Sequence, residues 1–434
     1  MIGYPAMRRF LLLSGLAYAL FLLGLATLSG GLLALALPLI IFLGAALLYG
    51  PEELQLRATR TLSAERVSQG APVVVRLSIA NEGSRLEEVL VEDVVPSLLE
   101  LTAGEPSVLT SLPPGGTVEL EYTVRGTRGI LDFQGVRVAA SDHLGLFRRR
   151  ATLPAPGRLT ILPQVLRLRR VAIRPRRTRA YAGPVPSRQG GSGVEFFGVR
   201  EYQVGDPRRW INWRASARHP RALFTNEFEQ ERIADVGLIL DARQRVNVRA
   251  QGDALFEHAI RATASLADTF LNDGNRVGLL IYGWFRDWTF PGYGKVQRER
   301  ILRALAQART GDSMVFGDLD ALPTRLFPAR SQIVLVSPLC GDDLPTLIRL
   351  RARGYQLLVV SPDPVTFEVR ALEPQPSVAL AARIAHLERV LLLRKMRQAG
   401  IWTVDWHVDR PFDQAVHASL GRSPHWFRAV GVGP

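Results

Sequence analysis

The sequence predicts three parts in order: two N-terminal transmembrane helices, an all-β immunoglobulin-like sandwich, and an α/β doubly wound domain. Three observations lead to this fold class. Residues 10–51 contain no charged side chain. Short apolar alternations separated by turn residues follow over 55–150, a spacing typical of an antiparallel sandwich. Over 233–365, apolar strands alternate with helical periodicity, which predicts a parallel sheet with helices on both faces.

The 434 residues divide on this basis into six segments. They are a cytoplasmic N-terminus (1–9), a transmembrane helical hairpin (10–50), a β-sandwich-like domain (51–160), a basic signature region (161–232), the α/β domain (233–365) and a C-terminal helix and strand extension (366–434). The net charge is +14, of which the signature region alone carries +9, from 15 basic and 6 acidic residues. The single cysteine, Cys340, excludes an intrachain disulfide and disfavours a cysteine-based zinc site.

The uncharged segment is long enough for two helical spans, because a hydrocarbon core needs about 20 residues. Ser29, Gly30 and Gly31 interrupt it near its middle, and glycine favours a turn there. The sequence therefore predicts two spans, 10–28 and 32–49, joined by a tight hairpin. A cleaved signal peptide is the alternative, but it would have a shorter apolar region and would not continue into a second one.

Flanking charge predicts the orientation of this hairpin. Arg8 and Arg9 precede the first span, Arg57 and Arg60 follow the second, and the turn between them has no charge. The positive-inside rule then places both ends in the cytoplasm. The expectation is a two-pass protein of the cell (plasma) membrane, in contact with the lipid bilayer and with the bulk of its chain cytoplasmic.

The alternation that predicts the sandwich is clearest at Val73, Val75, Leu77 and Ile79, which share one face of a half-buried strand. Further strands of the sandwich are predicted at 88–95, 117–124 and 130–140. In the α/β domain and its extension, strands are predicted at 236–240, 277–282, 333–336, 357–360 and 401–408, and helices at 252–271, 296–308, 344–353 and 377–398. No catalytic cluster falls in the sandwich, so a spacer or binding module is its expected role.

An arginine-rich run at 167–179 opens the basic region. Three interpretations remain open: a solvated strand or linker, contact with anionic lipid headgroups, or contact with the phosphates of a nucleic acid. The run lacks helical amphipathicity and closely interleaved aromatic residues. Nucleic acid is therefore the least favoured partner of the three.

The most specific segment of the chain follows, over 190–218. Asp206 is a good helix N-cap and Pro207 suits the first helical position. The spacing then predicts a short helix that packs Trp210 and Trp213 inward and leaves arginines outward.

An enzymatic interpretation of this segment is the alternative. Glu195, Asp206 and Arg209 offer an acid–base set, but ion pairing that fixes the loop is the favoured role for them. Common phosphate-loop, zinc-protease and serine-hydrolase motifs are absent from the sequence. The prediction is that the chain is not an enzyme and has no cofactor.

The order of residues in this segment resembles the signature of a bacterial family called domain of unknown function 58. The matching residues are Gly191, Gly193, Glu195, Phe196, Arg200, Tyr202, Gly205, Asp206, Arg209, Trp213, Ser216 and Arg218. The resemblance implies a membrane protein without an assigned activity, often encoded beside a MoxR-type AAA+ ATPase. Some members carry a von Willebrand factor A-like domain.

The α/β domain resembles that von Willebrand factor A fold, which commonly holds a divalent cation through Asp-x-Ser-x-Ser after its first strand. Here Asp241, Arg243 and Arg245 occupy the pattern, so arginine replaces both serines. Ser337 stands where a later acidic ligand is often found. Divalent cations need several oxygen ligands. The sequence therefore predicts a degenerate position that binds no metal.

Asp318 and Asp320 lie in a loop that could approach this position, either as ligands or as ion-pair partners of the two arginines. The leading functional hypothesis is a membrane-anchored, non-catalytic scaffold or adaptor. Its expected partner is a MoxR-type AAA+ ATPase, in protein-complex assembly or envelope maintenance. The alternatives are an enzyme of unknown class that uses the Glu195 region, and a basic module that binds anionic lipid or nucleic acid.

Overall fold

The computed structural model describes residues 4–48, 54–141, 148–168, 171, 178–179, 185–219, 221–283, 286–311, 319–323 and 326–420. The chain forms two compact units, Met1–Leu162 and Pro163–Pro434. Most of the arginine-rich run at 167–179, and Asp318 of the later loop, lie outside the described residues.

The chain begins with two helices, α1 (Tyr4–Ala26) and α2 (Gly30–Leu48), which contact each other. Among the residues described, no helix has both the length and the apolar character needed to cross a membrane. The prediction of two transmembrane helices, and of the two-pass cell-membrane location built on them, is therefore wrong.

Nine strands follow within the described residues of the first unit. They are β1 (Leu56–Leu62), β2 (Arg66–Ser68), β3 (Val73–Asn81), β4 (Leu86–Asp93), β5 (Leu99–Gly104), β6 (Ser107–Leu112), β7 (Thr117–Gly126), β8 (Gly129–Ser141) and β9 (Arg148–Leu162). They form a four-stranded sheet in the order β1-β3-β7-β5 and a five-stranded sheet in the order β2-β9-β8-β4-β6. All pairs are antiparallel except β2 with β9.

The two sheets pack face to face, because residues of both enter one apolar core. Leu77 and Ile79 of β3 share it with Val89 and Val91 of β4 and with Val138 of β8. The side chains of β3 alternate between buried and more exposed positions along the strand, as its apolar alternation predicts. An antiparallel sandwich therefore forms where the apolar alternation predicts one.

One ion pair lies inside this sandwich. The guanidinium of Arg60 binds the carboxylate of Asp93 and the carbonyl of Ala155, and neither charged side chain is exposed. Tyr122 donates its hydroxyl to Asp93 Oδ2 at 2.6 Å. Burial, followed by that hydrogen bond, raises the pKa of Tyr122 well above its usual range. The predicted role of Arg60 as a flanking membrane charge is thus replaced by a structural one.

The second unit contains ten strands and seven helices within the described residues. The strands are β10 (Thr178–Arg179), β11 (Val185–Glu201), β12 (Phe224–Asp241), β13 (Arg249–Ala250), β14 (Asp253–Ala254), β15 (Arg276–Tyr282), β16 (Arg286–Gly292), β17 (Gln332–Val336), β18 (Gln356–Pro362) and β19 (Trp402–Trp406). The helices are α3 (Trp213–Ser216), α4 (Leu255–Asn272), α5 (Gly294–Gln307), α6 (Asp343–Ala352), α7 (Pro364–Val369), α8 (Pro376–Gln398) and α9 (Phe412–Leu420). Short 3₁₀ turns occur at Arg208–Trp210, Gln244–Val246 and Leu319–Ala321.

The main sheet of this unit has the order β16-β15-β12-β17-β18-β19. Neighbours are parallel except β16, which runs antiparallel at one edge. Side chains on both faces of the inner strands are buried, as at Leu238 and Ile239 of β12 and at Val334 and Leu335 of β17. Helices therefore cover both faces, the arrangement of a doubly wound α/β domain.

The long strand β12 takes part in two different strand pairings. Its second half lies at the centre of the parallel sheet, whereas its first half pairs antiparallel with β11. We call this antiparallel pair the β11–β12 arm. Its register is irregular, since both Gly191 and Phe196 of β11 lie opposite Phe228 of β12. Gly191 therefore lies at a bulge within a strand pair.

Candidate functional site

The first candidate site lies at the carboxyl edge of the parallel sheet. Strand β12 is followed in sequence by β15 on one side and later by β17 on the other. Such a reversal opens a crevice between two neighbouring strands, where ligands of α/β sheets usually bind. Asp241 is the last residue of β12 and Ser337 follows β17, so both enter this crevice.

A guanidinium fills the crevice. Arg243 Nε donates to Asp241 Oδ1 at 2.9 Å and its Nη2 donates to Asp241 Oδ2 at 2.6 Å. The same group donates to both carboxylate oxygens of Asp343, each at 3.0 Å. Ser337 Oγ donates to Asp241 Oδ2 at 2.6 Å. One arginine therefore bridges two carboxylates in bidentate fashion.

The charges of this cluster are withdrawn from solvent, since Arg243, Asp241 and Asp343 are each at most 1% exposed. Burial by itself would lower the pKa of Arg243, but the hydrogen bonds and charges of Asp241 and Asp343 outweigh burial and raise that pKa above its ordinary value. The guanidinium is thus a permanent cation in this crevice.

Asp343 was not identified from the sequence. A second acidic ligand was expected directly after β17, at the position of Ser337. Asp343 lies six residues later, in the first turn of α6. The backbone amide of Cys340 donates to Asp343 Oδ2 at 2.9 Å and orients it toward the crevice. The feature of the sequence that could have identified Asp343 is an acidic residue at the start of the helix predicted after this strand.

The other predicted members of this site lie apart from it. Arg245 is about one-third exposed and its Nη1 lies 4.0 Å from Asp342 Oδ2. Asp320 accepts hydrogen bonds from Thr346 and Arg349 instead of approaching Arg243. Within the described ranges, no cluster of three or more His, Cys, Asp or Glu residues has a geometry that could hold a metal ion.

A second buried arginine occupies the next crevice along the same edge. Arg389 of α8 donates to the carbonyls of Pro338 and Ser361 at 3.2 and 2.9 Å, and to Asp405 Oδ1 at 2.7 Å. Its Nε lies 3.4 Å from Asp363 Oδ1. These contacts join the ends of β17, β18 and β19. The burial of Arg389 could not be predicted from the sequence, because an arginine in a helix is ordinarily exposed.

The signature segment forms the second candidate site, at the end of the β11–β12 arm. Arg200 pairs with Asp206 through two hydrogen bonds of 2.9 and 2.7 Å. The backbone amide of Gln203 donates to Asp206 Oδ2 at 2.9 Å, and the hydroxyl of Tyr202 donates to the Asp206 carbonyl at 3.2 Å. Gly205, at φ 114°, makes the intervening turn. The hydrogen bond from Arg200 lowers the pKa of Asp206.

These contacts correct two predictions. Asp206 pairs with Arg200 instead of Arg209, whose guanidinium lies 5.8 Å from the ring centre of Trp210. The side chain of Glu195 lies outside the described part of the chain. Asp206 does not cap a helix, because a 3₁₀ turn follows it and the N-cap of the four-residue α3 is Asn212.

Trp213 is the third correction, since it is 68% exposed and not packed inward. Helix α3 is held by its own polar contacts: Ser216 Oγ donates to the carbonyl of Asn212 and accepts from the amide of Phe224, both at 2.9 Å. With only one turn of helix, no inward face forms. The indole is therefore available to solvent.

Exposed apolar and basic side chains surround this tryptophan in the sequence, and we call the group the signature surface. Its apolar members are Phe196, Val204, Trp213 and Leu223, and its basic members are Arg208, Arg209, Arg214, Arg218 and Arg221, all exposed. Aromatic and arginine side chains are the residues enriched at protein interfaces.

Residues 198–367 match the family described as "Protein of unknown function DUF58". This segment thus matches the family that the order of the signature residues predicts. The matched segment begins in β11 and ends in α7. It therefore contains both the Arg200–Asp206 pair and the Arg243 cluster. No curated protein matches the chain.

Several solved structures show weak similarity. They include the major pilin subunit of Bacillus cereus (5% identity, 25% of this chain, 41% of that chain, TM-score 0.20), the cupredoxin domain of amoB from Nitrosocaldus yellowstonii (10%, 25%, 88%, 0.18) and a FixG-related protein from Vibrio parahaemolyticus (11%, 24%, 95%, 0.17). The chain spans less than half the length of the pilin subunit. At these TM-scores the similarity supports no conclusion about fold or function.

Proposed function

We propose that this chain is a non-catalytic scaffold or adaptor that binds a protein partner through the signature surface. The observation that carries the proposal is the position of Trp213, which lies in solvent although the residues beside it are firmly hydrogen-bonded. An exposed tryptophan on a fixed support is the usual anchor of an interface, because it buries a large area at little cost in conformational entropy.

The charges of the surface indicate the chemistry of the partner. Five exposed arginines accompany the apolar side chains, so an acidic protein surface is the complementary one. The family resemblance suggests a MoxR-type AAA+ ATPase as the first partner to test. The candidate catalytic groups support this choice over an enzyme, because the Asp206 carboxylate is engaged by Arg200 and by the backbone amide of Gln203.

The binding does not require a metal ion in this proposal. A von Willebrand factor A-like domain commonly engages its ligands through a bound cation, but Arg243 occupies that position with its own charge. Binding to the ATPase is therefore expected to be the same in the presence of EDTA and of millimolar magnesium, provided that nucleotide-dependent changes in the ATPase are controlled.

The test measures the affinity of the purified full-length chain for the purified ATPase. Trp213→Ala is expected to weaken binding about 30-fold, the effect of losing a hot-spot residue worth about 2 kcal/mol, without a change in melting temperature. Phe290→Ala is the matched control, because Phe290 is 74% exposed and lies on the edge strand β16. Equal binding by all three proteins would refute the assignment of the surface, and absence of binding would refute the partner.

A further inference from the structure

Helix α8 carries an apolar stripe that faces solvent. One face of the helix is buried through Arg389, Leu393 and Met396. A second set of apolar side chains is exposed to 58, 51, 62 and 54%, at Leu380, Ile384, Leu387 and Leu391 respectively. At 100° per residue, this set lies on the side of the helix opposite Arg389. A surface helix normally carries polar residues there.

The spacing of the stripe identifies the kind of surface that covers it. Its members follow one another at intervals of four, three and four residues, the a/d pattern of a coiled coil over two heptads. Leu380 and Leu387 take d positions, and Ile384 and Leu391 take a positions. A β-branched residue at a and leucine at d favour two-stranded parallel pairing. The pattern thus points to another helix.

We infer that α8 pairs in parallel with α8 of a second copy of this chain. In this heptad assignment Arg383 is at g and Glu388 is at e, and both are exposed. In a parallel pair, the g residue lies beside the e residue of the next heptad on the other helix. Arg383 then meets Glu388 of the partner subunit, and symmetry repeats this pair on the other side.

Antiparallel pairing lacks this complementarity. It places g beside g and e beside e, so that Arg383 would lie next to the partner subunit's Val390. The charge pattern therefore selects the parallel orientation. The buried face of α8 is on the opposite side of the helix, which leaves the stripe free to meet a second helix without changing the packing of its own domain.

The interface is small. Four apolar side chains per helix contribute on the order of 100 Å² each, or roughly 800 Å² for the pair of helices. This area lies below the about 1,000 Å² that a stable interface exceeds. The dimer is accordingly a weak, reversible one. The stripe and the signature surface lie on different elements, so the two proposals stand or fall separately.

Cysteine cross-linking of the full-length chain tests the inference. In a Cys340→Ser background, Leu387→Cys places one thiol at a d position, where the two copies of a parallel pair approach within disulfide distance. Mild oxidation is expected to give a disulfide-linked dimer in high yield. Leu372→Cys is the matched control, since Leu372 is 47% exposed but lies before α8, and it should give little dimer.

Charge reversal tests the orientation and the identity of the partner. Arg383→Glu and Glu388→Arg, each added to the Leu387→Cys chain, should weaken self-association about tenfold, because each places like charges together twice. An equimolar mixture of the two variants, distinguished by tags, should restore cross-linking between unlike chains, since both pairs again have opposite charges.

Two results would overturn the inference. One is a cross-linking yield for Leu387→Cys no higher than that of Leu372→Cys at 100 µM protein, a concentration of about the order at which weak interfaces form. The other is binding to phosphatidylglycerol vesicles that Leu387→Asp abolishes while no cross-linked dimer forms. That second result would assign the stripe to a bilayer surface. Unchanged melting temperatures of the variants exclude unfolding as the cause of either result.

Discussion

Replacing Arg243 by alanine removes the cation that two buried carboxylates share. Asp241 and Asp343 then remain inside the protein, close together and without a counter-charge. Breaking a buried ion pair from one side costs about 3–5 kcal/mol. For a domain of this size the melting temperature falls by about 2–4 °C per kcal/mol. We therefore expect Arg243→Ala to melt roughly 10 °C below the wild-type protein.

The same variant should acquire a response to divalent cations. Loss of the guanidinium leaves the carboxylate oxygens of Asp241 and Asp343 and the hydroxyl of Ser337 around one vacated position, and oxygen is the ligand that Mg²⁺, Ca²⁺ and Mn²⁺ prefer. A cation present at 100 times its dissociation constant stabilises the folded state by about 2.7 kcal/mol. Millimolar cation should thus restore a large part of the lost stability.

Differential scanning calorimetry with and without each cation measures both effects. Arg245→Ala is the matched control, because Arg245 is two residues away, partly exposed, and 4.0 Å from the exposed Asp342; such pairs contribute at most about 1 kcal/mol. The reasoning fails if Arg243→Ala melts like Arg245→Ala. It also fails if cations stabilise the wild-type protein, since a cation would then bind despite the guanidinium.

Two further predictions concern titrating groups. Because Arg200 lowers the pKa of Asp206, their ion pair stabilises the loop around Asp206 above the ordinary carboxyl pKa and is lost as pH falls through the lowered pKa. Asp206→Asn should therefore show faster exchange of the Gln203 backbone amide near neutral pH. Arg208→Ala is the control that should leave this exchange rate unchanged. Burial lowers the pKa of His258, despite its 2.7 Å contact with Asp253. The folded state therefore resists protonation of His258, and the stability that this group contributes is present above about pH 6.5 and declines below it. His258→Gln should flatten the decrease in unfolding free energy between about pH 7 and 5.5, measured by urea denaturation, and an unaltered slope would contradict the assignment.

Periodicity predicted the second unit well because its sheet is buried on both faces. The predicted strand at 277–282 and the helix at 377–398 each lie within one residue of β15 and α8. In such a domain, apolar runs and amphipathic helices are imposed by the core itself. The segment around Trp213 lacks this constraint. A four-residue helix has no inward face, so spacing alone predicted burial where the structure shows exposure.

Contacts between distant residues escaped prediction for a different reason. Asp343 and Arg389 enter the carboxyl edge of the sheet from helices that begin after β17 and β18. Local sequence identifies those helices but does not show which of their polar residues point into the crevices. At the N-terminus, the uncharged segment indicated two helices correctly, but among the residues described neither helix has the combination of length and apolar character that crossing a membrane requires.

The two buried arginines have a common consequence for how this domain can be used. Ligands of open α/β sheets bind at the carboxyl ends of the strands, because crevices open there and backbone groups are unpaired. In this chain, Arg243 and Arg389 fill two adjacent crevices and are bound by carboxylates and carbonyls of the surrounding strand ends. Guanidinium groups stay charged throughout the physiological pH range, so these two cations persist in the crevices that a ligand would otherwise enter. The β11–β12 arm and the outer face of α8 carry exposed apolar residues instead, which is why both of our proposals assign binding to those surfaces.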